Sequence, residues 1–281
     1  ALRGNMLWLR SPYMGALFVN MDRMRGISET ALRGWARARV HEVTLEAAID
    51  SRGAMTSSGG DVGGDRVFFV AGSPLERWDA TIDHSNTGTA RLRSRLDTFS
   101  ASFRAGPLDI RAGRQPVSFG TSRFVSVLDV VAPFAPGDLD ATYKPGVDAL
   151  RIRAGMGGAG EFEMVGVGAR PWGEGALIGI GRSSFRGVDA GMMGGRFRHR
   201  GFGGLAWDGD MGSFGFWGEI AAFERKLSLE KWRGGWSKAA FSCVAGTDFY
   251  LPWRVRTGMA FMYQDFGARH PGDLVSVYTD A

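Results

Sequence analysis

The chain has 281 residues, 43 of them glycine, roughly double the usual share of about 7%, and one cysteine, Cys243, which excludes an internal disulfide framework and a cysteine-based zinc site. A formal charge of +5 and a pI near 9.7 permit nucleic-acid binding, but the arginines are spread singly along the chain rather than gathered on one stripe, which argues against it. No run approaches the ~20 uninterrupted apolar residues of a membrane-spanning helix, so the chain either is soluble or crosses a membrane without helices.

The first residues, ALRGNMLWLR, carry charges where a secretion leader would be apolar. From there the pattern has a period of two. Leu32, Gly34, Ala36, Ala38 and Val40 alternate with Arg33, Trp35, Arg37 and Arg39, giving one apolar and one mainly cationic face. The alternation returns at Leu45, Ala47 and Ile49 against Glu46 and Asp50, and at Trp78, Ala80 and Ile82 against Arg77, Asp79, Thr81 and Asp83. Further on, Leu108, Ile110 and Ala112 oppose Asp109 and Arg111, and Leu150, Ile152 and Ala154 oppose Ala149, Arg151 and Arg153. Near the end, Val255, Thr257, Met259, Phe261 and Tyr263 oppose Arg254, Arg256, Gly258, Ala260 and Gln264.

Turn residues separate these runs: Ser51-Arg-Gly53, Ala105-Gly-Pro107, Met156 to Gly160, Pro171 to Gly175, Gly209 within WDGDMG, and Leu251-Pro-Trp253. The helical candidate, Gly218 to Glu230, continues an aromatic alternating run and reads better as strand, loop, strand. Together these signals predict an all-β fold, an antiparallel transmembrane β-barrel of about 14–18 strands, each near the 9–11 residues that a tilted strand needs to cross a bilayer. In such a barrel the apolar face meets lipid, the polar face lines the lumen, and Trp172, Trp207, Trp232, Tyr250 and Trp253 sit near strand ends. We expect one barrel domain over residues 1–281; the pattern opens and stops in mid-strand, so terminal strands are expected outside this stretch and the count is a lower bound.

Residues 116–146 fit neither strand nor helix. They separate two wall strands, Leu108 to Gln115 and Val147 to Gly155, and Pro133, Pro136 and Pro145 cannot donate ladder hydrogen bonds. Irregular backbone at membrane depth is tolerated only inside protein or beside water, so the insertion is expected at the lumen mouth or over the rim. Phe124, Val125, Val127, Leu128, Val130, Val131 and Phe134 would form a small apolar knot there. The block Gly113-Arg114-Gln115, Pro116-Val-Ser-Phe-Gly120, Pro133-Phe134-Ala-Pro136, Asp138-Leu-Asp140 and Tyr143-Lys144-Pro145-Gly146-Val-Asp148 resembles one seen in porin-like outer-membrane β-barrels of Gram-negative bacteria. Over about 40 residues the resemblance is specific; elsewhere it lies in the strand pattern. It implies a bacterial outer-membrane location, contact with outer-membrane lipid and lipopolysaccharide, and transport without covalent chemistry; some relatives are suspected of exporting polysaccharide.

Arginines on polar strand faces carry the functional expectation. Facing lipid, each would cost about 2–4 kcal/mol at mid-membrane, so they should face water. The expected lumen lining is Arg33, Arg37, Arg39, Asp109, Arg111, Arg151, Arg153, Arg254 and Arg256. The expected constriction set is Arg114, Gln115, Arg123, Asp129, Asp138, Asp140, Lys144 and Asp148. Unpaired, these guanidiniums would favour anions; paired with Glu46, Asp50, Asp79, Asp109, Glu161 and Glu163, they would seal the interior. Two functions stay open: a channel for polar, anionic or saccharide solutes or for polysaccharide export, and a plugged barrel that anchors a lipoprotein or an envelope-spanning complex. The oligomeric state is left open.

Other motifs are weak. Gly155 to Gly160 matches G-x-G-x-x-G but precedes an alternating run, Glu161 to Val165, so it reads as a hairpin turn and not a dinucleotide site. Gly235-Trp-Ser237-Lys-Ala239 lacks the last glycine of a nucleophile elbow. His41, His84, His199 and His270 are scattered, and Asp138 with Asp140 is too small a set for calcium, so no metal, cofactor or enzymatic activity is expected.

Overall fold

The computed structural model describes residues 27–56, 77–87, 90–123, 125–131, 144–158, 160–170, 174–224, 239–251 and 255–265. Thirteen strands lie among these residues, and the strands whose register is described here pair antiparallel. Among the described residues no helix is long and apolar enough to cross a membrane, which says nothing of strands. The chain forms two compact units.

The first unit holds β1 (Ile27–Val40), β2 (Val43–Thr56), β3 (Thr81–Thr87), β4 (Ala90–Ala105), β5 (Leu108–Pro116) and most of β6 (Gly146–Gly155). β1 and β2 pair without interruption from Ile27↔Thr56 to Val40↔Val43 around a two-residue turn at His41. Their register confirms the expected faces: Arg33 lies opposite Asp50 and Arg37 opposite Glu46, while Gly34 meets Ile49 and Ala38 meets Leu45. Between β2 and β4 the register shifts after Ala48, so that Ala48 faces Thr98 and Ile49 faces Leu96, and Asp97 is the extra, bulged residue. β2 covers one edge of β4 throughout; the other edge is shared, with β3 on residues 90–95 and β5 on residues 99–105.

Some expected boundaries move. Ser51-Arg-Gly53 is interior to β2, because the hairpin closes at His41-Glu42 and Arg52 is held in the strand by Asp50 at 2.8 Å. Gly209 lies within β10, and the turn falls three residues later at Gly212, where φ is 67°. Trp78 and Ala80 precede β3 rather than belonging to it. In β5 the two-residue period is reset at Gly113, whose φ of 115° lets Arg114 and Gln115 both be buried, although parity would place Arg114 with Ile110 and Ala112. The expected turn at Leu251-Pro-Trp253 lies largely outside the described residues, as do Pro171 to Gly173.

The second unit holds β7 (Gly160–Val167), β8 (Ala176–Phe185), β9 (Val188–Phe197), β10 (Arg200–Met211), β11 (Phe214–Glu224), β12 (Ala239–Leu251) and β13 (Val255–Gln264), in that spatial order, together with residues 118–131. Turns at Arg186-Gly187 and Gly212-Ser213 close one end; residues 198–199 and 225–238 connect strands at the other. On one face of β8–β12 the irregular segment meets β10, β11 and β12, through Leu128 at Gly204, Glu219 and the Arg123–Asp248 pair. Ile178, Ile180, Trp217, Ala221 and Val244 are buried there with Phe119, Val127, Leu128 and Val131 of the segment. Fully burying a side chain such as Leu128 is worth about 1.5–3 kcal/mol. The alternate face stands open, with Leu177, Met192, Leu205, Ile220, Phe241 and Phe261 exposed.

A Cβ at Gly113 would lie 2.3 Å from the carbonyl oxygen of Phe99, in addition to the left-handed φ. Gly113→Ala should therefore cost about 1–3 kcal/mol of stability. Gly34→Ala, where a Cβ meets nothing within 4 Å, should leave the urea-unfolding midpoint of the refolded chain within error of the parent.

Candidate functional site

In the first unit, a buried arginine organises the polar cluster. Its side chain has 0% exposure, and a guanidinium so buried must find an acceptor for each edge. Arg114 donates from Nε and Nη2 to the two carboxylate oxygens of Asp148, at 3.0 and 3.2 Å, from Nη1 to the carbonyl of Leu96 at 3.2 Å, and from Nη2 to the carbonyl of Trp78. Its guanidinium carbon also lies 4.5 Å from the centre of the Trp78 ring. Asp148 further accepts the backbone N–H of Arg77 at 2.7 Å. Beside it, bulged Asp97 accepts from Arg33 at 2.5 Å and from the N–H of Gly146 at 3.0 Å. Gln115 donates to the carbonyl of Ala149 at 2.9 Å, tying β5 to β6.

The second unit has an acidic counterpart. Glu219, fully buried on β11, accepts at Oε1 from the N–H groups of Thr121 and Ser122, at 2.7 and 2.6 Å. Its Oε2 accepts from the hydroxyl of Ser126 at 2.8 Å and from the N–H groups of Val127 and Leu128 at 2.9 and 3.3 Å. One carboxylate thus meets the backbone needs of a segment that has no ladder of its own. Asp129 does the same at the start of the segment, accepting from Phe119 N–H at 2.7 Å and from the Ser118 hydroxyl at 3.1 Å. Gly204 leaves room for Leu128: a Cβ there would stand 2.2 Å from its methyl carbon.

Ion pairs line the same face. Arg123 and Arg256 both donate to Asp248, and Arg123 also lies 3.7 Å from Asp208. A cavity of about 280 Å³ opens beside them, lined by Trp217, Thr247, Thr257 and Gly258. Arg182 bridges Glu161 and fully buried Glu163 at 3.0 and 2.6 Å, with Arg153 at 3.8 and 3.7 Å from the same two carboxylates.

Of the residues singled out from the sequence, most lie on charged strand faces, and the paired arrangement prevails over the open cationic one. Arg37 and Arg111 share Glu46, Asp109 takes Arg104, and Asp50 takes Arg52. Asp79 instead accepts the N–H of Thr81, and exposed Arg39 donates to the carbonyl of His41 at 3.3 Å. Arg151 is half-buried on β6 and Lys144 is buried just before that strand. Arg254, Asp138, Asp140, Phe124 and Phe134 lie outside the described residues. The expected apolar knot is realised in Val127, Leu128 and Val131, whereas Val125 is 52% exposed. Asp129, in the expected constriction set, accepts from the amides of Phe119 and Gly120 in its own segment, at 2.7 and 3.4 Å. Gly155 to Gly160 joins β6 to β7 as a turn, with Met156 N–H bonded to the carbonyl of Gly160 at 2.9 Å.

Sequence reasoning missed Asp97, Asp208, Glu219 and Asp248. For Glu219 a signal exists: it is a single acid inside the aromatic run Phe214 to Phe223, sharing parity with Trp217 and Ala221. An acid on such a face requires donors from elsewhere in the chain.

No protein-family model matches the chain, and no curated protein does. Among solved structures, it is similar to the low-pH form of Pseudomonas putida OprB, at 10% identity over 86% of this chain and 73% of that one, with a TM-score of 0.48. It is also similar to Acinetobacter baumannii OccAB4, at 10% identity over 85% of this chain and 61% of that one, TM-score 0.47. A triple mutant of the Rhodopseudomonas blastica porin matches at 9% identity over 85% of this chain and 86% of that one, TM-score 0.40.

Breaking a buried pair by neutralising one member costs about 3–5 kcal/mol, so Asp148→Asn should destabilise the first unit by that order, read from its unfolding midpoint. Glu219→Ala strips the acceptor from the amides of residues 121–128, each worth about 1–3 kcal/mol when left unsatisfied. The expected result is a segment that opens to solvent, seen as faster labelling of a Ser122→Cys reporter in the Glu219→Ala background than in the parent. Equal labelling rates would remove Glu219 from this role.

Proposed function

We propose that the chain is a transmembrane β-barrel of a Gram-negative outer membrane whose charged face lines a passage for polar solutes. The observation that carries this reading is the inverted sidedness of both units. Leu45, Ile49 and Phe99 in the first, and Leu177, Met192 and Phe261 in the second, are each at least half exposed. The charges, by contrast, are covered: Asp97, Arg114, Glu163 and Glu219 are all buried. A soluble monomer rarely exposes contiguous apolar patches larger than a few hundred Å², whereas a wall that meets hydrocarbon requires one. A closed barrel would leave no bare strand edge in lipid.

The paired charges set the selectivity. An alternating field of guanidinium and carboxylate groups offers donors and acceptors along the path without a strong net sign, which suits saccharides and modestly anionic solutes, and polysaccharide in export, better than small inorganic anions. Segment 118–131, fixed by Glu219 and Asp129, narrows the path. The same fixed segment also favours a second reading, a plugged barrel that anchors a lipoprotein or an envelope-spanning complex.

Planar-bilayer recording separates the two. A passage gives discrete conductance steps; a plugged barrel gives none. With steps present, Asp248→Asn removes the carboxylate between Arg123 and Arg256 and should move the reversal potential in a salt gradient toward anions. Arg123→Ala should move it the other way. Unchanged reversal potentials in both variants would take this cluster off the conduction path.

A further inference from the structure

Four strands of the first unit share one row of residues on a single face. Leu32 of β1 is in register with Ser51 of β2, Ser51 with Ser94 of β4, and Ser94 with Ile82 of β3. The row lies on the apolar face, where Leu32, Ile49, Ile82 and Leu92 are 43–62% exposed. The two serine hydroxyls stand 2.7 Å apart. A cross-strand hydroxyl pair of this kind satisfies itself. Yet a third group is brought to it: His84 Nε2 lies 2.8 Å from Ser94 Oγ. It arrives there because β3 is bulged between Asp83, opposite Arg93, and Ser85, opposite Leu92, which leaves His84 as the extra residue.

Nothing in the sheet requires a histidine at this position. It is exposed, and Ile82 beside it shows that an apolar side chain suits the same face. On a face turned to hydrocarbon an ionisable group is expensive and is kept for a function. The distances are those of a nucleophile and its general base. With the proton of the neutral imidazole on Nδ1, Nε2 accepts from the Ser94 hydroxyl, and the Ser51 hydroxyl is a donor beside the attacking oxygen. Asp83, next along the chain, is committed to Arg93 at 2.6 and 3.2 Å. The set is therefore a dyad with an accessory hydroxyl. Along β4 it is kept apart from the charged face, since Leu92, Ser94 and Leu96 alternate with Arg91, Arg93 and Arg95.

We propose that Ser94 and His84 form an acyl-transfer site that hydrolyses the carboxylic ester of a membrane phospholipid. Ser94 Oγ attacks the ester carbonyl carbon and its proton passes to His84 Nε2, while the Ser51 hydroxyl donates to the oxygen on which charge develops. The carbon–oxygen bond to the lysolipid breaks, and the lysolipid oxygen takes the proton from Nε2. Water then adds to the acyl carbonyl, giving a proton to Nε2; the fatty acid leaves and Ser94 recovers that proton. Leu32, Ile49, Ile82 and Leu92 hold the acyl chain against the sheet. The activity stands beside the passage and is no part of it. The inference rests on the reading that this face meets lipid.

The test is covalent labelling of the detergent-extracted full chain with a long-chain alkyl fluorophosphonate, in which a serine oxygen displaces fluoride from phosphorus, followed by peptide mapping. One adduct at Ser94 is expected. Ser94→Ala should abolish it, and His84→Ala and Ser51→Ala should each slow labelling about a hundredfold, the lower end of what a general base or an oxyanion donor contributes. In mixed micelles with phosphatidylethanolamine the parent should release fatty acid and the Ser94→Ala chain none. Should a variant fail to fold, the map of the parent still reads the labelled residue. A parent without an adduct at Ser94 overturns the site, and so does labelling at the same rate with and without His84. Hydrolysis of p-nitrophenyl acetate as fast as p-nitrophenyl palmitate overturns the lipid substrate. Failure of the underlying reading looks different: the chain would stay dissolved without detergent and be missing from the outer-membrane fraction, whatever its labelling.

Discussion

An irregular segment laid on a sheet brings amide hydrogens that no ladder can accept, and the arrangement of the second unit follows from how this is met. Glu219 gives both carboxylate oxygens to residues 121–128. The exchange is mutual, since a carboxylate with no exposure is tolerable only when its lone pairs are occupied by donors. Neither partner is stable in this position without the other. Ser126 tightens the arrangement by accepting from the amides of Leu128 and Asp129 while donating to Glu219. With the backbone satisfied, Val127 and Leu128 are free to pack on the sheet, and the apolar contribution follows from the polar one.

The first unit applies the same rule with the opposite charge. Arg114 is buried because Gly113 turns the strand, and its donors are spent on Asp148 and on two carbonyls. Around it the paired residues Arg33 with Asp97 and Arg111 with Glu46 keep the covered face close to neutral. Gly146 sits hard against this cluster, where a Cβ would stand 1.9 Å from the carbonyl oxygen of Asp97.

Much of the fold was legible in the residue alternation. The faces of β1, β2, β6 and β13, and of β5 as far as Ala112, follow parity, because a strand places successive side chains on opposite sides regardless of what lies beyond them. β5 ends at Pro116 and β6 begins at Gly146, beside prolines and broken alternation of the kind that stop a ladder. What escaped were the positions where parity fails or where a partner is remote in sequence. Asp97 gains its place from a one-residue slip between two strands, and Arg114 from the φ of a glycine; neither is written in a period of two. The partners of Glu219 lie more than 90 residues away, so the sequence offers an acid that needs donors without naming them. Arg123 and Arg256 were found as charges, but their common carboxylate, Asp248, depends on the register of β12 and β13.

One feature of β4 has a mechanical meaning. Along one margin this strand is splinted from end to end by β2, while along the other β3 stops and β5 begins. The wall is therefore spliced there, and the joint is closed by the amide of Leu96 reaching Ala80 and by one guanidinium clamping the carbonyls on either side. A load carried across the splice passes through Arg114 rather than through a row of interchangeable rungs, so that a single side chain acts as the rivet of the panel.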